Sequence, residues 1–337
     1  MIIINNCEEL IKNKALIDKI SNKNINNFQL CYENIYALYK LNAKIFTIID
    51  EKNQYYTCFK KRDNNIMECC INIEPISYIK DTLKLEKFID EIYNCFEKRT
   101  LYFPLVYGNS TFYNLFCKNE KYDKYIRLYT SIVEPRKIND LFEYIGENIY
   151  FSINALKKFE KKLCVKYFSK ENVEKILSSI EKESWKNAFG KDLYTNYDKL
   201  LYYNELIVKG LAEIAVAFFY EMPVAYRIDA IKDNRVTQLK TSFNEKYKKY
   251  SPGAYLTIYD MYCRFKNYDS IDLYGSPNLV KNLVETKRIE RYDFCYGNIN
   301  TIEQLKNERQ NWDMKNFKIF KNGQGIKNVY ERGKKNE

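Results

Sequence analysis

The fold of this chain is decided by residues 235–281, which read RVTQLKTSFNEKYKKYSPGAYLTIYDMYCRFKNYDSIDLYGSPNLVK. The pattern predicts a strand at 235–243, a basic loop, a Ser-Pro-Gly turn that opens an amphipathic helix, a second short strand, and a glycine turn before Lys281. A strand that runs through a turn into a helix directs unpaired backbone N–H groups and the positive end of the helix dipole at whatever lies in front of the turn. This stretch therefore predicts an anion-binding site.

Length and composition indicate a globular protein. With 337 residues, 46% of them hydrophobic, the chain is long enough for about two domains with packed cores. No run approaches the ~18 apolar residues of a membrane-spanning helix, and the start MIIINNCEEL lacks the basic and apolar regions of a signal peptide. We therefore expect a cytoplasmic protein with no membrane partner.

The chain has no histidine, and its ten cysteines stand without CxxC pairs or metal-ligand spacing. The missing histidine excludes Ser-His and Cys-His nucleophiles, His-based zinc sites and the most common general base. Any catalysis must use carboxylates, tyrosines, lysines, backbone amides or the substrates themselves. We expect mostly reduced cysteines and no metal site.

The net charge of +11 has two explanations. It favours an anionic partner such as a nucleotide-bearing cofactor, a nucleic acid or a membrane surface. However, Lys, Asn, Ile and Tyr are abundant together, which an AT-rich genome produces without selection for charge. The charge alone therefore does not choose a partner.

The pattern divides the chain into two halves, 1–140 and 141–303, and a basic tail, 304–337. The first half mixes helices with strands and shows no site of its own. Its predicted helices are Cys7–Ile20, Asn34–Leu41 and 85–98, and its predicted strands are 44–50, 54–61, 67–75, 100–108 and 125–134. The second half adds a basic helix at Ile153–Leu163, a helix running into Ser184-Trp185-Lys186, a long helix at 197–212, and strands at 213–220, 223–232 and 235–243. The tail reads as frayed, docked or an interaction arm.

Four segments between about 150 and 300 carry a family resemblance: SINALKKFEKKL at 152–163, IEKESWKNAFG at 180–190, KTSFNEKYKKYSPGAYL at 240–256 and IDLYGSPNLVK at 271–281. Together they resemble GNAT-fold acyltransferases of the branch grouped with cellulose-biosynthesis acetyltransferases, which is related to the Fem-type peptidoglycan aminoacyltransferases. The resemblance implies an α/β (α+β) fold of two tandem GNAT-like halves, with mixed central sheets flanked by helices and a degenerate N-terminal half. The loop departs from ordinary GNAT enzymes, because only Gly253 stands where they carry a glycine-rich motif.

The resemblance also implies site residues. Acyl transfer needs a bound donor, a neutral amine and a stabilised oxyanion. The pyrophosphate of an acyl-CoA would bind at the helix start, where the N–H groups of Ala254 and Tyr255 would point outward; the donor-binding residues are Ser251, Pro252, Gly253, Ala254 and Tyr255. The candidate proton acceptors are Glu245, Asp272 and Glu213, and the candidate acceptor-binding residues are Lys240, Asn244, Trp185, Tyr274 and Lys281. An ordinary capped helix, solvated charges and simple packing are the alternative interpretations of these residues.

The predicted function is acyl-CoA-dependent N-acyl transfer, most simply N-acetyl transfer, to an amine of a sugar nucleotide, glycan precursor or small metabolite, with a place in cell-surface polysaccharide biosynthesis. One alternative is a Fem-like transferase that uses aminoacyl-tRNA, because basic segments would suit tRNA phosphates. A second alternative is a non-catalytic module that binds nucleic acid or glycan on a GNAT scaffold, because basic and aromatic residues alternate in YKKYSPGAY.

Overall fold

The strands of the molecule form one sheet. A computed structural model describes residues 1–23, 27–41, 44–77, 81–145, 153–184, 186–187, 192–264, 266, 268–275 and 279–308. The strands are β1 (Ile2–Ile4), β2 (Ile45–Asp50), β3 (Tyr55–Lys61), β4 (Ile66–Cys69), β5 (Thr100–Tyr107), β6 (Tyr122–Val133), β7 (Leu163–Phe168), β8 (Ala212–Phe219), β9 (Met222–Lys232), β10 (Arg235–Phe243), β11 (Ser270–Asp272) and β12 (Lys287–Tyr296). They lie in the order β1-β2-β3-β4-β5-β12-β6-β11-β10-β9-β8-β7.

Helices cover both faces of this sheet. They are α1 (Cys7–Lys12), α2 (Lys14–Ser21), α3 (Tyr32–Tyr39), α4 (Thr82–Cys95), α5 (Thr111–Phe116), α6 (Leu141–Ile145), α7 (Ile153–Glu160), α8 (Glu174–Lys182), α9 (Tyr197–Val208), α10 (Pro252–Cys263) and α11 (Leu279–Val284). Residues 299–308 form a further helix with Leu305 buried, and residues 309–337 of the predicted tail lie outside the described part of the chain. No helix in that described part is both long and apolar enough to cross a membrane. The predicted mixed α/β architecture with helix-flanked strands is confirmed.

Most elements follow from local sequence. In α4, Leu85, Phe88, Ile89 and Ile92 recur at helical spacing and are all buried, while the Asp81 side chain accepts hydrogen bonds from the first-turn N–H groups. The prediction was wrong where pairing with distant strands decides. The predicted strand 67–75 ends at Cys69, and the basic helix predicted to reach Leu163 ends at Glu160 because Leu163 begins β7 opposite Phe219 of β8.

The two halves exchange a strand. β6, from the first half, pairs with β11 of the second half, and β12, from the second half, pairs with β5 of the first. β6 and β12 also pair with each other from Tyr122↔Tyr296 to Ile132↔Lys287. One continuous sheet therefore crosses both halves, so side chains from the first half reach the centre of the molecule.

Each half contains one parallel strand pair joined by a helix. β4 and β5 are joined by α4, and β10 and β11 are joined by α10. The pairing of β10 with β11 ends at Thr237↔Asp272, whereas β10 itself continues to Phe243. We call the gap between β10 and the chain after Asp272 the crevice. Because parallel strands that separate leave their facing backbone groups unpaired, the crevice is a natural ligand-binding position.

The crevice opens between two helical layers. α8 and α9 pack on the face of β8 and β9 that carries Ile214 and Val216, and α10 packs on the face that carries Ala215 and Ala217. Successive side chains of a strand point to opposite faces, so these two faces present different residues to the crevice.

Candidate functional site

The start of α10 has backbone donors that the helix itself does not use. Ser251 adopts a left-handed conformation, φ +47°, and makes no side-chain cap, while Pro252 at the first position has no N–H. The N–H groups of Gly253 and Ala254 have no intrahelical acceptor at these positions, and no other acceptor within the described residues. By contrast, Asp81 fills the equivalent position of α4 with its own carboxylate. Of these two crossover helices, only α10 begins without a carboxylate cap.

One predicted donor is wrong. The N–H of Tyr255 donates to the carbonyl of Ser251 at 3.0 Å, so it belongs to the helix and does not point outward. The ring of Tyr255 is buried and stacks on Phe159. A side chain at Gly253 would meet the ring of Phe243, whose Cδ1 would lie 3.2 Å from the new Cβ. The helix start therefore offers two N–H donors and a close backbone approach at Gly253.

The open edge of β10 holds a lysine amine. The N–H of Asn244 donates to the carbonyl of Val224 in β9 at 2.8 Å. Backbone groups of successive residues in a strand point to alternate edges, so those of Thr241, three residues earlier, point to the opposite edge, toward the crevice. There Lys186 donates a hydrogen bond from its Nζ to the carbonyl of Thr241. The Ser-Trp-Lys segment thus reaches the crevice through its lysine; Trp185 lies outside the described residues.

Three lysines, Lys186, Lys240 and Lys281, which we call the lysine group, lie near one another, because the charges of Lys240 and Lys281 both act on Lys186. Burial lowers the pKa of Lys186 to about 7 and that of Lys281 to about 8, and it also lowers the pKa of Lys240. The charges of Lys240 and Lys281 lower the pKa of Lys186 further, whereas Glu181 raises it. Two of these amines are therefore neutral in part near pH 7 to 8.

Asp272 connects this group to the first half. It is 6% exposed and accepts hydrogen bonds from the hydroxyl of Tyr107, from Thr130 Oγ1 at 2.7 Å and from the N–H of Tyr274 at 2.8 Å. Burial raises the pKa of Asp272, and the positive charges of Arg291 and Lys281 oppose that shift. With three donors in place, Asp272 is held in one orientation beside the lysine group, and its role as a proton acceptor stays a prediction.

Arg291 lies beside this carboxylate. It is 0% exposed; its Nε donates to the carbonyl of Leu105 at 3.0 Å, while Nη1 and Nη2 have no hydrogen-bond partner among the described residues. The guanidinium lies over two rings, 4.4 Å from the centroid of Tyr274 and 5.0 Å from that of Tyr107. The hydroxyl of Tyr274 accepts a hydrogen bond from Asn72 at 2.8 Å, so both halves build this region.

The lysine group is further surrounded by named charges. Lys281 donates to the carbonyl of Tyr274, and Asp272, Arg227 and Arg291 all act on its pKa. Glu181 faces Lys186 and Lys240, but its oxygens already accept from the hydroxyl of Tyr226 and, at 3.0 Å, from the N–H of Leu193.

The remaining predicted residues lie apart from this cluster. Glu245 pairs with Lys248 at 2.8 Å, and Asn244 caps the short helix that follows it by accepting from the N–H of Lys246. Glu213 pairs with Arg264, within a second ionic cluster under α10 that includes Asp229 and Asp260. The structure therefore brings Lys240, Asp272, Tyr274 and Lys281 together, and it places Glu213 elsewhere.

Sequence reasoning missed three residues of the site: Lys186, Asn72 and Arg291. Lys186 belongs to a segment that the sequence did single out, so that segment was the available signal. Arg291 lies in a strand rich in charged residues and Asn72 in a loop, and neither carries a local pattern that separates it from the chain's many similar residues.

No protein-family model and no curated protein sequence matches this chain. Solved structures do. The C-terminal domain of a protein described as a lysylphosphatidylglycerol synthetase from Agrobacterium fabrum is 10% identical, covers 89% of this chain and 95% of its own, and superposes with a TM-score of 0.63. FemX is 12% identical, covers 90% of this chain and 99% of its own, and has a TM-score of 0.61. A tandem GNAT protein from the clavulanic acid biosynthesis pathway is 7% identical, covers 87% and 97%, and has a TM-score of 0.50.

At these identities the similarity establishes the fold. The predicted tandem GNAT-like architecture is confirmed, and FemX among the neighbours agrees with the Fem-like side of the resemblance. The cellulose-biosynthesis side and the boundaries at residues 140 and 304 stay predictions.

Proposed function

We propose that this chain is an acyltransferase that moves an acyl group from a phosphate-bearing carrier, acetyl-CoA or another acyl-CoA, to an amine held in the crevice. One observation carries the proposal. β10 and β11 separate beyond Thr237 and Asp272, and α10 begins beside Thr241 and Phe243 of the open part of β10, where the N–H groups of Gly253 and Ala254 have no acceptor within the described residues. Two backbone donors at the positive end of a helix suit a pyrophosphate, and the open strand edge suits an extended acyl carrier.

The residues around the crevice suit the chemistry of acyl transfer. The amine must lose a proton as it attacks the carbonyl carbon, and the thiolate that leaves must gain one. With a pKa of about 7, Lys186 can exchange protons near neutral pH. In this proposal Asp272 positions Tyr107 and Tyr274, and Asp272, Glu245 and Glu213 are the candidate proton acceptors that mutagenesis must test.

A second candidate function is transfer from aminoacyl-tRNA. A basic and aromatic surface adjoins the start of α10: Lys162 and Lys249 lie over the ring of Tyr250 at 5.3 and 5.0 Å, and the ring of Tyr220 is 85% exposed beside Phe219. Exposed rings flanked by lysines bind single-stranded nucleic acid by stacking and charge. This surface favours a carrier that ends in single-stranded RNA.

The donor site is tested by Ala254→Pro. Proline removes the N–H of residue 254 without breaking an intrahelical hydrogen bond, because the first turn of a helix has no acceptor for it. We expect about tenfold weaker binding of acetyl-CoA by calorimetry, since a hydrogen bond to a charged group contributes about 1.5–3 kcal/mol. The matched control, Ala254→Ser, keeps the N–H and should bind like the wild type. Equal affinity for the proline and serine variants would contradict the donor assignment.

The two carriers are separated by a transfer assay. The wild-type protein is incubated with labelled acetyl-CoA or with labelled aminoacyl-tRNA and a panel of amines. Label transferred only from acyl-CoA supports the first candidate, and label transferred only from tRNA supports the second. Transfer from neither carrier, with no binding of either, would refute the proposed acyltransferase.

A further inference from the structure

The lysine group and Arg291 contain more positive charge than a donor site at α10 needs. Lys240 and Lys281 both act on Lys186, and Arg291 acts on Lys281, so four basic groups stand near the crevice, whereas only two carboxylates, Asp272 and Glu181, act on them among the charges named above. Concentrating cations in a half-buried region is unfavourable because each one lowers the pKa of the next. A bound anion would remove that penalty.

We propose that Lys186, Lys240, Lys281 and Arg291 form a second anion site that binds a phosphate group of the acceptor substrate. The assignment to the acceptor rests on the proposed acyl transfer, whereas the anion site itself does not.

The amines of this site flank the crevice from both sides. Lys186 donates to the carbonyl of Thr241 on the β10 side, and Lys281 donates to the carbonyl of Tyr274 on the β11 side. Next to Lys281, Gly275 has φ +80°, and a Cβ there would lie 3.7 Å from the lysine Nζ. Glycine at this position adopts the left-handed conformation without strain and lets a ligand approach the backbone beside the amine.

Arg291 gives independent support for a ligand. Its two terminal nitrogens are fully buried and have no partner within the described residues, although a buried guanidinium is costly unless its donors are satisfied. The planar fork of Nη1 and Nη2 matches two oxygens of a phosphate. The half-buried ring of Tyr274 covers the guanidinium and would have to move for direct contact.

Lys240 lies on the face of the sheet opposite α10. Thr241 directs its side chain toward α10, since its Oγ1 would lie 3.8 Å from a Cβ at Gly253. Lys240, the preceding residue, therefore points to the other face, which α8 and α9 cover. A donor bound at α10 and an acceptor phosphate bound by the lysine group would meet in the crevice without competing for the same groups.

Binding of inorganic pyrophosphate is the direct test, measured by calorimetry with and without saturating CoA. We expect Lys186→Met and Lys281→Met each to weaken pyrophosphate binding by about tenfold or more. Each substitution removes a charged hydrogen-bond donor but keeps a side chain of nearly the same shape as lysine. The matched control is Lys248→Met, whose amine is exposed and paired with Glu245. If Lys281→Met does not fold, the half-buried Lys186 carries the test.

The outcomes separate this site from the donor site. Lysine variants that lose pyrophosphate but keep CoA, together with Ala254→Pro showing the reverse, support two sites. If neither the wild type nor any variant binds CoA, but the lysine variants bind pyrophosphate more weakly than the wild type, the donor assignment fails and the anion site stands. No pyrophosphate binding at millimolar concentration, or an equal loss in Lys248→Met, overturns the proposal.

Competition identifies the source of the phosphate. A nucleoside diphosphate and a short-chain phosphatidylglycerol are each titrated against bound pyrophosphate. Displacement by the first identifies a soluble nucleotide-linked acceptor, and displacement by the second identifies a lipid headgroup. Failure of both to displace pyrophosphate would refute the assignment to an acceptor phosphate.

Discussion

Replacing Asp272 by asparagine tests whether this carboxylate balances the buried cations around it. The substitution keeps the shape of the side chain and removes only the charge. The amide oxygen can still accept from Thr130 and from the N–H of Tyr274, and the hydroxyl of Tyr107 can turn to accept from the new NH₂ group. The hydrogen bonds are therefore largely replaced, and what is lost is the negative charge facing Lys281 and Arg291.

The expected cost is about 3 kcal/mol in the free energy of unfolding at pH 7. Arg291 and Lys281 act on Asp272 through their charges, and the reference for such a loss is a fully buried ion pair, where removing one partner costs about 3–5 kcal/mol. The lower part of that range applies here, because Lys281 has a pKa of about 8 and can shed its charge more easily than an ordinary lysine. For the same reason, the cost should be smaller at pH 9 than at pH 7.

Urea unfolding followed by circular dichroism measures this cost for Asp272→Asn, Lys281→Met and the double variant. We expect the double variant to be at least about 1 kcal/mol more stable than the sum of the single effects predicts, because residues in one charge network couple. The control is Asp269→Asn, which removes an exposed pair with Arg136 at 2.7 Å and should cost less than about 0.5 kcal/mol. A cost for Asp272→Asn as small as the control's, or additive single effects, would refute the reasoning.

Three further predictions concern single groups. Ser251→Gly should raise the free energy of unfolding by about 0.5–1 kcal/mol, because Ser251 has φ +47° and glycine adopts that conformation without strain; a lower melting temperature would contradict this. The free energy of unfolding of the wild type, relative to that of Lys186→Met, should rise from pH 7 to pH 9. The folded-state pKa of Lys186, about 7, lies below that of an exposed lysine, so the unfolded chain binds more protons in this range. A difference that stays flat or falls in urea titrations would show that Lys186 has an ordinary pKa. Glu213→Gln should cost at most about 1 kcal/mol and leave the rate of acyl transfer unchanged, because its partner Arg264 lies in a separate ionic cluster; a fall in kcat of about 100-fold or more would instead identify Glu213 as the general base.

The exchange of β6 and β12 explains how a first half without an anion-binding helix start still contributes to the site. Tyr107 of β5 and Asn72 of the loop after β4 both reach the cluster around Tyr274. The first half contributes side chains that hold the centre of the molecule, while α10 in the second half supplies the open helix start. The region around Tyr274 is therefore incomplete without the first half.

The sequence by itself determined the local elements of the second half. The run from Arg235 to Phe243, the turn at Ser251 and the helix from Pro252 follow from alternation, a proline at the first helical position and apolar spacing, and these signals involve only neighbouring residues. The placement of Lys240, Asp272, Tyr274 and Lys281 in one region followed from the same motif because they lie close together along the chain.

Only the tertiary structure decided the rest. Arg291 joins the site because β12 inserts between β5 and β6, a pairing between residues nearly 190 positions apart that no local pattern encodes. Three donors from three different strands or loops converge on Asp272, and the N–H of Tyr255 belongs to the helix because the carbonyl of Ser251 lies within reach. Burial and charge depend on what lies around a residue in space, and long-range strand pairing determines that environment.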